Sequence, residues 1–254
     1  MMIVLMLWNT YLTVVLTQSL LILHTDNWTT ACKWDTVIPF DLMWSELKRI
    51  IKPNGAIVLF GSEPFSSALR MSNIKQYKYD WVWDKVTAKG HLVAKIRPMQ
   101  QTENICVFGD SKINYYPIMV ERDKPRKDVD VEYSRTEIIG GKTTKPQSKI
   151  VRDKKYPKNL LTFSNASQKG KVHPTQKPVA LLEYLIKTYT QEGETVLDFT
   201  AWSWTLWCAS QNTNRKFILI EKDEWYFNIT CDRLIKNQER LDLLDFTSFS
   251  EIRK

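Results

Sequence analysis

Three sets of residues in this chain could do chemistry. The densest is cationic. Between Glu121 and Lys158 stand 12 Lys and Arg against 7 Asp and Glu, in a chain of formal net charge +8. Cations at that density suit a polyanion, with nucleic acid the first choice. Within the basic stretch Tyr115–Lys171, the candidate phosphate contacts are Lys124, Arg126, Lys127, Lys154 and Lys155. The second set is carboxylates that follow apolar runs: Asp26 after Leu20–Leu23, Asp198 after Val196-Leu197, and Glu221 after Phe217–Ile220. In such places a carboxylate serves as a turn residue or caps the next helix. The third set is the thiols Cys32, Cys106, Cys208 and Cys231. They are far apart and lack C-x-x-C spacing, which reads as reduced, buried cysteines and gives no metal site.

The elements that must position these groups alternate between helix and strand. Asp41–Ile51 places Leu42, Leu47, Ile50 and Ile51 on one helical stripe, stopped by Pro53-Asn54-Gly55. Ala56–Phe60 reads as a buried strand and Pro64–Ser72 as a short helix with proline at its start. Tyr79–Trp83 and Asn104–Phe108 are further strands. From Gly109 to about Gln168 periodicity fades while charge, Pro and Gly increase, as in an insertion that carries recognition. Val179, Leu182, Leu185, Ile186 and Tyr189 then recur at helical spacing, with Gly193 closing the helix. Thr195–Phe199 and Lys216–Glu221 are strands around a helix Trp204–Gln211, and Glu224–Leu244 is a long closing helix. Such repetition predicts a largely parallel sheet covered on both faces.

Residues 1–23 carry no charge and are long enough to span a membrane. Asn9, Thr10, Thr13, Thr17, Gln18 and Ser19 make the stretch a poor insertion sequence, and it lacks a basic n-region and a cleavage site. The competing reading is two buried strands, Ile3–Leu7 and Leu20–Leu23. The N-x-[ST] triplets at Asn27, Asn165 and Asn228 are of a kind that arises often by chance.

Several blocks carry a resemblance. Trp44–Gly55 with Leu59-Phe60-Gly61-Ser62-Glu63-Pro64-Phe65, then Val172-His173-Pro174-Thr175-Gln176-Lys177-Pro178, then Val196-Leu197-Asp198-Phe199-Thr200, resemble bacterial and phage DNA amino-methyltransferases of the β group. The resemblance implies a Rossmann-like α/β fold dependent on S-adenosylmethionine. It covers nearly the whole chain, from about residue 20 to 240, and implies a single domain, 1–254, with an inserted target-recognition region at about 109–170. It also implies double-stranded DNA as partner, no metal, and a place in the cytoplasm of a bacterial or phage-infected cell, as part of restriction-modification. Methyl transfer goes to an exocyclic amine, adenine N6 before cytosine N4, with the base taken out of the stack. Cofactor-binding positions carried over are Asp198, Phe199, Thr200 and Glu221, together with His173, Thr175, Gln176 and Lys177.

The catalytic motif departs from the family pattern. It falls on His24, Thr25, Asp26 and Asn27, with no Pro-Pro. A gap-free alignment puts His24 at the acidic position and Asn27 at the aromatic one; a shifted alignment lets Asp26 serve, with Trp28 as the stacking ring. After Thr200 the family's glycines are replaced by Trp202 and Trp204, and Trp207 replaces a third small residue. Leu219 and Trp225 stand for a small and a polar residue around Glu221. An indole buries on the order of 200 Å², enough to occupy the space of an adenosine moiety. The sequence therefore points to a methyltransferase fold with impaired cofactor binding. Two alternatives stand beside it: DNA binding without catalysis, and a membrane-tethered protein held through residues 1–23.

Overall fold

The computed structural model describes residues 3–7, 18–24, 38–127, 151–165, 177–200, 205–221, 224–225, 227–228 and 231, with backbone alone for 3–7, 18–24, 126–127 and 151–152. In chain order the elements are β1 (Ile3–Leu7), β2 (Gln18–His24), α1 (Phe40–Ile50), β3 (Ile51–Gly61), α2 (Phe65–Ser72), β4 (Tyr77–Lys89) and β5 (Gln100–Phe108). They continue with β6 (Val120–Lys127), β7 (Val151–Lys155), β8 (Leu160–Thr162), α3 (Val179–Tyr189), β9 (Thr195–Asp198), α4 (Thr205–Asn212) and β10 (Lys216–Glu221).

Eight strands form one sheet in the order β1-β10-β9-β2-β3-β5-β4-β8. The first five run parallel; β5 lies antiparallel between β3 and β4, and β8 joins β4 in parallel. The predicted α/β class holds, and the one reversed strand makes the sheet mixed. β9 and β2 are neighbours, but α4 carries the chain from β9 to β10 on one side while α1 carries it from β2 to β3 on the other. Such a switch point opens a crevice at the carboxyl ends of the two strands.

Both faces of the sheet are covered, so Ala56–Phe60 is an unbroken apolar run with every residue buried. Alternation sends Val58, Phe60, Val196, Phe217 and Leu219 toward α3 and α4, where they pack with Leu182, Leu185, Ile186, Leu206 and Trp207. Ile57, Leu59, Leu197 and Ile218 face the other way, into Met43, Trp44 and Leu47 of α1 and Phe65 and Leu69 of α2. Each large side chain fully buried in this way contributes roughly 1.5–3 kcal/mol.

Some boundaries differ from the sequence reading. The α1 stripe is Met43, Trp44 and Leu47, whereas Leu42 is 67% exposed. Pro53-Asn54-Gly55 does not separate helix from strand: Ile51 is already extended, and the triplet is an irregular start to β3, with Asn54 in the left-handed region at φ 64°. Tyr189 rather than Gly193 ends α3; Gly193, at φ 79°, lies in the following turn, where its N–H donates to Asn214 O. Arg215 fastens that amino edge by donating to Thr190 Oγ1, Thr190 O and Thr213 O.

The chain divides into two compact units, Pro117–Lys158 and the remainder. In the smaller unit β6 and β7 pair antiparallel; Arg122 Nε donates to Lys154 O, and Lys154 pairs with Glu121 at 3.4 Å. Leu160–Thr162, which the sequence reading placed in the insertion, is a strand of the main sheet. The two N-terminal strands are present; β2 is hydrogen-bonded on both sides, by β9 and β3. Among the described residues no helix is long and apolar enough to cross a membrane. Most of Glu224–Leu244, and Cys32, lie outside the described residues; Cys106, Cys208 and Cys231 are in no disulfide among the described residues.

Candidate functional site

The switch point fixes which residues meet. Ile22 of β2 and Leu219 of β10 are both register partners of Asp198, so Asp198 closes β9 level with them. His24 ends β2 opposite Phe60, two residues beyond that level. Glu221 ends β10 two residues beyond Leu219. Alternation puts the Asp198 and Glu221 side chains on one face of the sheet, the face covered by α3 and α4.

Both carboxylates are enclosed, at 7% and 4% exposure. Asp198 Oδ1 accepts from Thr200 N at 3.0 Å and from Thr200 Oγ1 at 3.3 Å, a local turn of the kind short acidic side chains make. Its carboxyl is pushed up to about 7: burial is the main cause and the charge of Glu221 adds to it, against the opposing Thr200 N–H. On the same face, Trp207 of α4 is 4% exposed and belongs to the cluster of Val196, Phe217 and Leu219. Phe199 turns the other way, into the core with Met43 and Leu197.

Lys177 has a different kind of place. It immediately precedes α3, and its ammonium lies 2.6 Å from Glu103 Oε1. The other oxygen of Glu103 takes Lys85 Nζ at 2.8 Å. All three side chains are more than nine-tenths buried. Two cations thus share this carboxylate, and aromatic faces lie against them: Lys177 sits 5.0 Å from the Phe60 ring and 5.2 Å from Trp83, and Lys85 sits 5.4 Å from Trp83. The indole of Trp83 is fixed in turn by donating to Phe163 O. Since Phe60 is the register partner of His24, this charge cluster occupies the same carboxyl edge as the switch point.

The sequence reading missed Glu103 and Lys85. The one available signal was Lys85 following Trp81 and Trp83 at strand spacing, which puts a cation on a buried face and demands a partner. Only the pairing of Trp83 with Glu103 across β4 and β5 identifies that partner. Thr25, Asp26, Asn27, His173, Thr175 and Gln176 lie outside the described residues, as do Trp202 and Trp204. In the smaller unit Lys124 and Lys154 are exposed and Lys155 half-buried, while Arg126 and Lys127 are described by backbone alone. Among the described residues no group of three or more His, Cys, Asp and Glu stands at metal-binding spacing.

A family model for N6/N4 methyltransferases, described as DNA methylase, matches residues 26–232. The chain is 38% identical over 76 residues to the Type II methyltransferase M.HindIII of Haemophilus influenzae, a match covering 30% of this chain and 25% of that protein. It is 28% identical over 204 residues to the DNA adenine methyltransferase YhdJ of Escherichia coli K12, covering 75% of this chain and 64% of the relative. The matches thus span less than two thirds of either relative. A crystal structure of the M1.HpyAVI–SAM complex is similar in fold, with TM-score 0.53 and 21% identity, covering 86% of this chain and 90% of that one.

Proposed function

The chain belongs to the N6/N4 DNA methylase family, and from that premise we propose that it is a DNA-binding member whose cofactor cleft is closed by its own side chains. The observation that carries this reading is the burial of Asp198 and Glu221 on the face that Trp207 fills. S-adenosylmethionine brings ribose hydroxyls, an ammonium and a sulfonium; it needs carboxylates that are ionised and reachable. Here both are less than a tenth exposed, and Asp198 is held to about 7. The residues present do not fit that group, and no methyl-transfer step is assigned to them. Trp202 and Trp204 add bulk in the sequence immediately after Thr200, and His24 to Asn27 lack the Pro-Pro of the family motif.

DNA is the partner that remains. The family acts on DNA, and the similarity to a relative named a DNA adenine methyltransferase supports adenine, at N6, as the base and amine toward which the site is built. The unit Pro117–Lys158 serves as target-recognition region, with Lys124, Arg126, Lys127, Lys154 and Lys155 on phosphates and the main unit holding the degenerate site. The place of action is the cytoplasm, where the DNA lies. An anchor through residues 1–23 would remove β2 from between β9 and β3.

Two assays on the purified chain test the reading. Duplex binding should weaken steeply as salt rises, with a slope of about 0.9 per phosphate contact. Labelled methyl groups from S-adenosylmethionine should not enter unmethylated DNA. Salt-independent binding would argue against the basic contacts, and methyl incorporation against the closed cleft.

A further inference from the structure

β4 and β5 are joined by an arm whose neck and tip differ sharply in character. At the neck, Asp84 Oδ1 accepts from Val86 N and from Gln101 Nε2, each at 2.8 Å, and the Lys85–Glu103 pair lies just beneath. Val86 is held at φ 67°, a conformation that a β-branched residue adopts only under constraint from its surroundings. Beyond Gly90 the chain winds through consecutive turns, with Val93 N donating to Gly90 O, Ala94 N to His91 O, and Ile96 N and Arg97 N to Val93 O. The tip is therefore a short, internally bonded coil on a fixed stem.

That tip carries the most exposed large apolar side chains among the described residues. Leu92 is 87% exposed and Ile96 86%, four residues apart within the same short coil. Around them are exposed His91, Lys95 and Arg97, and from Lys85 to Thr102 there is no acidic residue. The arm also has a direction. β5 runs antiparallel to β3 with Gly61 opposite Asn104, so residues before Asn104 extend past the carboxyl edge, the edge of His24, Asp198 and Glu221.

We propose that the arm is a DNA wedge: Leu92 and Ile96 enter the base stack of a duplex while Lys95 and Arg97 hold the flanking phosphates. The proposal rests on the reading of DNA as the partner and goes beyond it by assigning a second contact surface outside the unit Pro117–Lys158. Apolar side chains next to cations are what separates and supports a disturbed base step. At this edge they would fill the space left by a base drawn toward the switch point. Two side chains give too narrow an apolar face to hold a membrane surface, which takes an extended amphipathic helix.

The test uses the full chain and a fluorescently labelled mixed-sequence duplex, with a second duplex pool carrying 2-aminopurine as a stacking reporter. The unaltered chain should raise 2-aminopurine emission; Leu92→Ser with Ile96→Ser should abolish that rise and weaken binding about tenfold without changing its salt slope. Lys95→Gln with Arg97→Gln should lower the salt slope by about 2. Leu42→Ser, on α1, is the control for loss of an exposed apolar side chain and should bind normally; thermal melts should be unchanged for all three. Unaltered affinity and emission in the Leu92/Ile96 variant would overturn the wedge while leaving DNA as the partner. Failure of the unaltered chain to bind any duplex would overturn both. Loss of self-association, or of capture by anionic vesicles, in that variant with DNA binding intact would assign the tip to a second copy or a membrane and overturn the proposal.

Discussion

Lys177 and Glu103, 74 residues apart in sequence, meet at 2.6 Å in the buried interior beside the switch point. Because Lys85 shares the same carboxylate, Glu103 serves two buried ammoniums at once among the described residues. The two kinds of deletion should therefore be unequal. Glu103→Gln leaves two buried ammoniums facing each other and should cost about 3–5 kcal/mol in urea unfolding. Lys177→Met leaves the Lys85–Glu103 pair in place and should cost less. Equal losses would mean that the carboxylate is not the hub.

Asp198 sets a pH dependence of unusual sign. Its folded value is raised to about 7 from 3.8, so the folded chain keeps a proton that the unfolded chain releases. The associated stability is fully present below about pH 4 and is lost as pH rises through 7. Asp198→Asn keeps an oxygen for the Thr200 N–H and cannot ionise. Chemical denaturation should find this variant more stable than the unaltered chain at pH 8, with the difference shrinking toward pH 5.

Trp207 and Trp225 occupy the same C-terminal stretch but differ in burial, at 4% and 63% exposed. Trp207→Ala should cost about 3–5 kcal/mol, as for other large core deletions. Trp225→Ser should stay within about 0.5 kcal/mol. Matched melting temperatures for the two variants would remove Trp207 from the core that fills this face.

Trp202 and Trp204 follow the Asp198–Thr200 turn in sequence. Because Asp198 and Glu221 stay enclosed on the face that Trp207 fills, replacing both with Gly should leave sinefungin unbound. Measurable binding would instead make these two indoles what excludes the cofactor.

Much of this arrangement is legible in local pattern. Continuous apolar runs such as Ala56–Phe60 and Phe217–Ile220 announce buried parallel strands, and helical spacing from Val179 to Tyr189 announces α3. Motif spacing places Asp198 and Glu221 at strand ends, and the register brings them to one edge and one face. The ion cluster is not legible, because it depends on cross-strand pairing between Trp83 and Glu103 and on the approach of Lys177 from a distant segment. Nor is the direction of Phe199: its neighbour Asp198 takes the α3–α4 face, and strand alternation sends the ring into the opposite core. The exposure of Leu42 escaped for a related reason, since several stripes fit one apolar-rich helix and only the sheet selects Met43, Trp44 and Leu47.

The closed cleft is tested most directly by isothermal titration calorimetry of the unaltered chain with S-adenosylmethionine and with sinefungin. With the cleft closed, no saturable heat is expected at micromolar ligand, in a protein that still melts cooperatively and still binds duplex DNA. Saturable binding at micromolar concentration would contradict it and make this chain a cofactor-competent methylase.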